Sequence, residues 1–375
     1  MKLLFYIGNM RGGGAERVLA NIVNELAKRE YEIGLVTDTS IPFAYEVDER
    51  VKRINIHSDS YHRFDSVKGF NSLYHFLSLC RQIRKVAKQE KPDIAICFMY
   101  GLNMIVIPSL LGSGIKVIAS EHTTFNRTVL PLSAIKYHGR IFANRLADRV
   151  TILTEYDKRY LTGKLDNTVV MPNPLSYPVI SNHDYSETME RRNNILTCGS
   201  IDRYKMKGFD NLIIAFSKIA DRYPNCCLDI AGNGNERDFM ELKLIAQQHG
   251  VEHQINFLGF RKDIKELMMS HKLYVLSSKF EGFGMVLIEA MAMGCPCVSY
   301  DLIAGPNEII KNGEDGLLVE NQNIDKLAEA MDYMLSHEEE RKEMAKNAMV
   351  NVKRFEVEKI VDKWEKMFYD LKTQE

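Results

Sequence analysis

The chain lacks most of the features that would narrow its function at once. Among its 375 residues, no run reaches the ~18–20 uninterrupted apolar positions that a membrane-spanning helix needs. The short apolar start, MKLLFYI, stops at Gly8 and is followed by no small-residue cleavage site, so it reads as a buried first strand rather than a signal peptide. Seven cysteines form no framework. The two close spacings, Cys226-Cys227 and Cys295-Pro-Cys297, have no second pair or histidine cluster to complete a zinc site. Buried free thiols in a reducing cytoplasm are the expectation. There is no internal repeat, no low-complexity tract and no Asp-x-Asp tripeptide.

What is present is an ordinary soluble composition, with 45% hydrophobic and 26% charged residues, in a chain long enough for two cores. Net charge is −1 but uneven: residues 1–175 hold 24 Lys and Arg against 17 Asp and Glu, and residues 176–375 hold 25 against 33. A basic first half suits an anionic acceptor or an anionic membrane surface. No nucleic-acid partner is expected.

Short apolar runs alternate with amphipathic stretches. Strands are expected at Leu3–Ile7, Ile33–Thr37, Ile94–Phe98, Lys116–Ser120 and Arg149–Leu153, and again at Ile195–Cys198, Cys227–Ala231, Ile255–Leu258, Leu273–Leu276 and Pro296–Ser299. Helices are expected at Ala15–Arg29, Leu73–Gln89, Phe209–Arg222, Glu236–His249, Val286–Met293, Asp325–Ser336, Glu338–Lys353 and Glu356–Leu371. Near-continuous apolar strands separated by helices predict parallel sheets covered on both faces. The expected fold class is α/β, with two Rossmann-like, doubly wound domains facing each other across a cleft. Prolines and polar residues place a linker at 173–194, between a domain at 1–172 and one at 195–354. A last helix within 355–375 is expected to pack back toward the first domain.

Ligands of open α/β sheets bind at the carboxyl ends of the strands, so motifs directly after strands carry the most weight. The first is Gly8-Asn-Met-Arg-Gly12-Gly13-Gly14-Ala-Glu16-Arg17. Its glycines allow close backbone approach, and the following helix start offers N–H groups to an anion. It is neither G-x-G-x-x-G nor a Walker pattern. Asp38, past the second strand, therefore does not make a nicotinamide site. Glu121-His122 follows a strand, where a histidine can donate a hydrogen bond to a substrate hydroxyl. Arg203, Lys205 and Lys207 follow another strand and precede a helix, a placement suited to a diphosphate. The sharpest block is Glu281-Gly-Phe-Gly-Met-Val-Leu-Ile-Glu289, with two carboxylates flanking a bare helix start. A carboxylate such as Glu289 suits vicinal ribose hydroxyls.

Glu281-x7-Glu289 within EGFGMVLIEAMAMG, followed by Gly305-Pro306-x-Glu308 and DGLLV, resembles the family 4 glycosyltransferases, a large retaining group of the GT-B fold. The GGGAER loop, the Glu121-His122 pair and Lys207-Gly208 fall in the order that family shows, over essentially the whole chain. The resemblance is to enzymes of bacterial polysaccharide assembly. It implies transfer of a hexose or N-acetylhexosamine from a nucleoside-diphosphate sugar, with UDP the expected nucleotide. The acceptor is expected to be a glycan or a polyprenyl-linked molecule.

It further implies that Glu289 bonds the ribose. Glu281 and the amides of Phe283, Gly284, Met285 and Val286 meet the sugar and diphosphate, and Lys207 neutralises the latter. Gly13 and Gly14 close over the phosphates, and His122 faces the sugar. The family often carries Arg directly after the glycine of its G-R-L segment. Ser200 stands there, and Arg203 or Lys205 is expected to substitute. No metal and no cofactor are expected, the nucleotide sugar being a co-substrate. An epimerase of the same fold and a silent nucleotide-sugar-binding scaffold are the competing readings. Residues 127–149 mix Arg127, Lys136, His138, Arg140, Arg145 and Arg149 with Leu, Ile and Phe. That mixture suits a membrane-surface helix or an ordinary helix with a solvated basic face. The expected location is the cytoplasm, peripherally on the inner face of the membrane.

Overall fold

A computed structural model of the chain describes residues 1–56, 70–126, 132–181 and 191–373. The chain divides into two units, Met1–Ser176 with Val357–Glu375, and Tyr177–Glu356. Each unit is built on one sheet. In the first, β1 (Lys2–Tyr6), β2 (Glu32–Thr37), β3 (Lys52–Asn55), β4 (Ile94–Phe98), β5 (Lys116–Ser120), β6 (Arg149–Ile152) and β7 (Thr168–Val170) lie in the order β3-β2-β1-β4-β5-β6-β7. In the second, β8 (Arg192–Cys198), β9 (Leu228–Ala231), β10 (Ile255–Gly259), β11 (His271–Leu276), β12 (Cys297–Asp301) and β13 (Leu317–Glu320) lie in the order β10-β9-β8-β11-β12-β13. All the pairings are parallel.

The local reasons are plain in the residues. β4, IAICF, is buried at every position because helices cover both faces of a parallel sheet. The helix Gly14–Lys28 buries Val18, Leu19, Ile22, Val23 and Leu26, one helical face at i, i+4 and i+8 spacing. In each sheet the strand order reverses beside the first strand, between β1 and β4 and between β8 and β11. At such a switch point, neighbouring connections leave in opposite directions and open a crevice at the carboxyl edge.

The helix Val357–Thr373 belongs to the first unit. It buries Ile360, Val361, Trp364, Met367, Phe368 and Leu371 along one face. Arg29 anchors it, with Nη1 2.5 Å from Asp362 Oδ1 and 2.6 Å from Glu365 Oε2. Lys372 Nζ adds a contact of 3.1 Å to Asp93 Oδ1.

Among the elements that escape the sequence pattern are β3, β7 and the helices Tyr100–Leu110, Glu155–Leu161 and Ile264–Ser270. The expected linker at 173–194 is only partly visible, since residues 182–190 lie outside the described residues. Its last three positions are strand, because β8 already begins at Arg192. All seven cysteines are free thiols. Among the described residues, no helix is long and apolar enough to cross a membrane.

Candidate functional site

In the second unit, the loops that leave β8 and β11 are sewn together. Gly208 adopts φ +67°, and a Cβ there would lie 1.9 Å from the Ser277 carbonyl oxygen. Only glycine permits both the left-handed backbone and the close approach. The loop is held by Ser277 Oγ donating to the Lys207 carbonyl (2.9 Å) and by the Lys279 N–H donating to the Met206 carbonyl (2.9 Å). The Lys207 ammonium is thereby set against the Glu281 carboxylate, Nζ to Oε1 2.7 Å, and Ser278 Oγ donates to the same oxygen at 2.7 Å. Both side chains remain about one-sixth exposed, Lys207 at 17% and Glu281 at 16%, so the pair faces solvent and a ligand can reach it. Arg203 is exposed on the same β8 loop.

Gly284, at φ +103°, caps the helix Met285–Ala292, whose first N–H groups have no acceptor within the helix. The Phe283 ring is not available to a ligand. It is buried edge-on against Phe355, with centroids 5.4 Å apart at 89°. Gly305 presses on the Phe283 backbone, where a Cβ would lie 2.3 Å from the Phe283 carbonyl oxygen. Phe283 therefore offers main-chain groups only. Glu289 is the fifth residue of the helix and is only 3% exposed.

In the first unit, β1 leads into the glycine loop. Gly13 and Gly14 are exposed at the start of the helix Gly14–Lys28, with Gly13 as its N-cap and Glu16 in the first turn. Met10, fully buried, pins the loop from beneath. The Asp38 carboxylate is turned inward, its Oδ1 accepting from the Ser40 N–H (2.9 Å) and Ser40 Oγ (2.6 Å), so it closes a turn.

His122 stands just past β5. Its Nε2 lies 3.1 Å from Ser120 Oγ, which accepts from Thr151 Oγ1 at 3.0 Å. The Ser120 proton is thus directed at Nε2, which leaves the imidazole proton on Nδ1. Nδ1 is buried and meets no partner in hydrogen-bond geometry. Burial pushes the ring's pKa down from 6.5 to about 4, with the Asn173 side chain opposing that shift. The imidazole is therefore neutral near pH 7.

The loop carrying His122 is clamped at both ends by groups that sequence reasoning missed. Arg140, fully buried, donates to Glu121 Oε2 (2.7 Å), to the Thr123 carbonyl (2.7 Å) and to the Thr124 carbonyl (3.0 Å). Its guanidinium lies over the Phe125 ring at 3.6 Å. Asn144 donates to the other Glu121 oxygen at 2.7 Å. At the far end, Asp157 accepts from Thr124 Oγ1 (2.6 Å) and from the Phe125 N–H (3.1 Å).

Both readings of residues 127–149, a membrane-surface helix or an ordinary helix with a solvated basic face, counted Arg140 among the outward cations, whereas it is buried. Arg140 shares the buried face of the helix Ala134–Arg145 with Tyr137, Ile141 and Asn144, a spacing visible in the sequence, and Arg127 lies outside the described residues. Among the described residues, no group of three or more His, Cys, Asp or Glu side chains is placed to hold a metal ion.

The clamp makes a prediction. Arg140→Met leaves the Glu121 carboxylate buried without its cation and should destabilise the protein by about 3–5 kcal/mol. Adding Glu121→Gln should recover a large part of that loss. Chemical denaturation of the single and double variants measures both.

Residues 12–176 match the family described as Glycosyltransferase Family 4, and residues 182–351 match glycosyl transferases group 1. The chain is 28% identical to an uncharacterized glycosyltransferase of Haemophilus influenzae, over 97% of this chain and 98% of that protein. It is also 28% identical, over 100% of this chain and 99% of the relative, to a Campylobacter jejuni alpha-1,4-N-acetyl-D-galactosaminyltransferase named for GalNAc-GalNAc-diNAcBac-PP-undecaprenol. Among solved structures, Anabaena HepE in complex with UDP and glucose aligns with a TM-score of 0.79 at 18% identity, covering 99% of this chain and 100% of that one. At that identity the likeness shows the fold. With two parallel-sheet units, lysine–carboxylate and glycine loops at their strand ends, and family matches over nearly its whole length, this chain belongs to the family 4 glycosyltransferases of the GT-B fold.

Proposed function

We propose that this glycosyltransferase is a retaining hexosyltransferase. It moves a hexose or N-acetylhexosamine from a UDP-sugar to a glycan or polyprenyl-linked acceptor in cell-surface polysaccharide synthesis. The observation that carries the reading is the half-buried Lys207–Glu281 pair at the switch point of the second sheet, just ahead of the helix that holds Glu289. A diphosphate arriving there competes with Glu281 for the Lys207 ammonium and meets the helix N-terminus at Met285. Glu289 accepts from the ribose hydroxyls, and Glu281 turns to the sugar. In the first unit, Gly13 and Gly14 leave a helix start exposed, a feature suited to an anion.

His122 meets the transferred sugar. Ser120 occupies Nε2, so Nδ1 is the nitrogen through which the neutral imidazole would meet a substrate hydroxyl, in place of the Asn173 side chain that now acts on the ring. In the transfer step the bond from the anomeric carbon to the diphosphate oxygen breaks. The acceptor oxygen bonds to the same face of that carbon, and its proton passes to the departing diphosphate. UDP and the polyprenyl-linked acceptor are supported by the names of the HepE complex and the Campylobacter relative.

The positive field on the diphosphate is assigned to Lys207, Arg203 and the helix start rather than to a metal, since the chain contains no Asp-x-Asp. Transfer should therefore persist in excess chelator. A loss restored by Mn²⁺ or Mg²⁺ would show that a metal is needed.

The membrane expectation is supported by one helix face. On Ala134–Arg145 and the residue after it, Ile135 (86% exposed), Phe142 (65%) and Leu146 (36%) share one stripe. Exposed Lys136, His138 and Arg145 flank it. Apolar side chains among cations suit an anionic lipid interface. Ile135→Ser with Phe142→Ser should abolish flotation with anionic vesicles at low salt, while the parent floats and releases as salt rises. A parent that fails to float at low salt would refute membrane docking.

The donor assignment is tested by titrating UDP. Glu289→Ala removes two charge-assisted hydrogen bonds of about 1.5–3 kcal/mol each, so affinity should fall on the order of 10- to 1,000-fold. Glu281→Ala removes the carboxylate that competes for Lys207, so UDP affinity should hold or rise while turnover falls. If Glu289→Ala binds UDP normally while Glu281→Ala binds it more weakly, the two roles are reversed.

A further inference from the structure

We infer that Phe98 is a positioning residue for His122, and that Trp364 of the last helix holds Phe98 in turn. The inference rests on the role in transfer given to His122 above. The Phe98 ring lies flat against the imidazole, with centroids 4.8 Å apart and planes at 21°. A histidine ring has two soft torsions, and a hydrogen bond to one nitrogen leaves rotation about that bond free. The Ser120 bond to Nε2 and the Phe98 stack act at right angles to each other. Together they fix both the direction of the ring and its plane, and so where Nδ1 points.

Phe98 has little freedom of its own. It is the last residue of β4, in register with Ser120 of β5. The next residue, Met99, adopts φ +78°, a strained backbone for a side chain of this size. The Met99 N–H donates to the Ser120 carbonyl at 3.0 Å, tying the strained residue to the loop that carries His122. On the ring itself, Trp364 lies near-parallel, with centroids 6.4 Å apart and planes at 14°, and Phe5 sits tilted at 6.2 Å. Trp364 is 1% exposed and is braced by Phe368 of the same helix at 5.9 Å. His122, Phe98, Trp364 and Phe368 thus make a continuous aromatic column from the catalytic loop to a helix that begins 235 residues later in the chain.

The column predicts that substitutions far from any ligand act on the rate. Phe98→Leu should lower kcat on the order of 10- to 100-fold with the donor KM nearly unchanged, the signature of a misplaced group rather than a lost binding contact. Trp364→Leu should act in the same direction. Trp364→Phe should restore the rate, since the buried indole Nε1 makes no hydrogen bond that phenylalanine would forfeit.

A direct readout is the imidazole ring-proton NMR signal of His122, identified by its disappearance in His122→Gln. In the parent it should lie upfield, in the ring current of Phe98, of the signal from exposed His253. In Phe98→Leu it should move to the exposed position. If Phe98→Leu does not fold, the Trp364 pair gives the same test. An unshifted signal, or an unchanged kcat in a folded Phe98→Leu protein, overturns the inference. Full transfer by His122→Gln overturns instead the reading beneath it, while the NMR signal still reports whether the stack forms.

Discussion

Every candidate residue in this protein depends on one constraint: strands that all run the same way deliver all their exits to one edge. An antiparallel sheet would split its loops between two edges. Here the loops after β1 and β5 emerge together in one unit, and those after β8 and β11 emerge together in the other. The reversal of strand order beside β1 and beside β8 then decides which exits stand next to an open crevice. The glycine loop follows β1, Lys207 follows β8, and Glu281 follows β11. Gly208 converts that adjacency into contact, since any side chain there would push the β8 loop off Ser277.

The two units handle charge differently, and the difference matches what each is asked to do. In the first, Arg140 and Glu121 are both essentially dry, and both terminal nitrogens of Arg140 and both Glu121 oxygens are spent inside the protein. Such a pair contributes little net stability, because desolvation consumes much of the attraction, but it tolerates only one arrangement. Its effect is geometric. In the second, Lys207 and Glu281 keep contact with water. Their attraction is screened and exchangeable, so an anion of higher charge can displace the carboxylate at modest cost. One pair holds a loop still, and the other stays open to exchange.

Much of this was legible in the sequence, and the failures share a cause. β4 was readable to the residue because a strand covered on both faces is apolar throughout, and β5 because its apolar centre, Val117–Ala119, is closed by Lys116 and Ser120. Glu281 and Glu289 stood out because bare glycines lie beside them at a helix start, and the structure sets Glu281 against Lys207 and Glu289 within the helix that Gly284 caps. β3 was not, since an edge strand carrying Lys52, Arg53 and Asn55 has no apolar run to detect. The helix Tyr100–Leu110 was missed because it is apolar on nearly all sides and contains Pro108, so it shows no helical period. Arg140 was read as a surface charge because only its partners, 16 to 19 residues back in the chain, reveal that it is buried. Phe98 and Trp364 illustrate the limit most clearly, as nothing local joins positions so far apart.

The helix Val357–Thr373 carries a consequence for how the protein is made. The first unit owns that helix, yet the ribosome must finish all of Tyr177–Glu356 before reaching it. At roughly 5–20 residues per second, those 180 residues occupy about ten to forty seconds. During that interval the nascent N-terminal half exposes the bed that Trp364 and Phe368 will fill, Phe98 included. The half that is synthesised first is therefore completed last. A chain stopped short of residue 357 would keep that apolar bed uncovered.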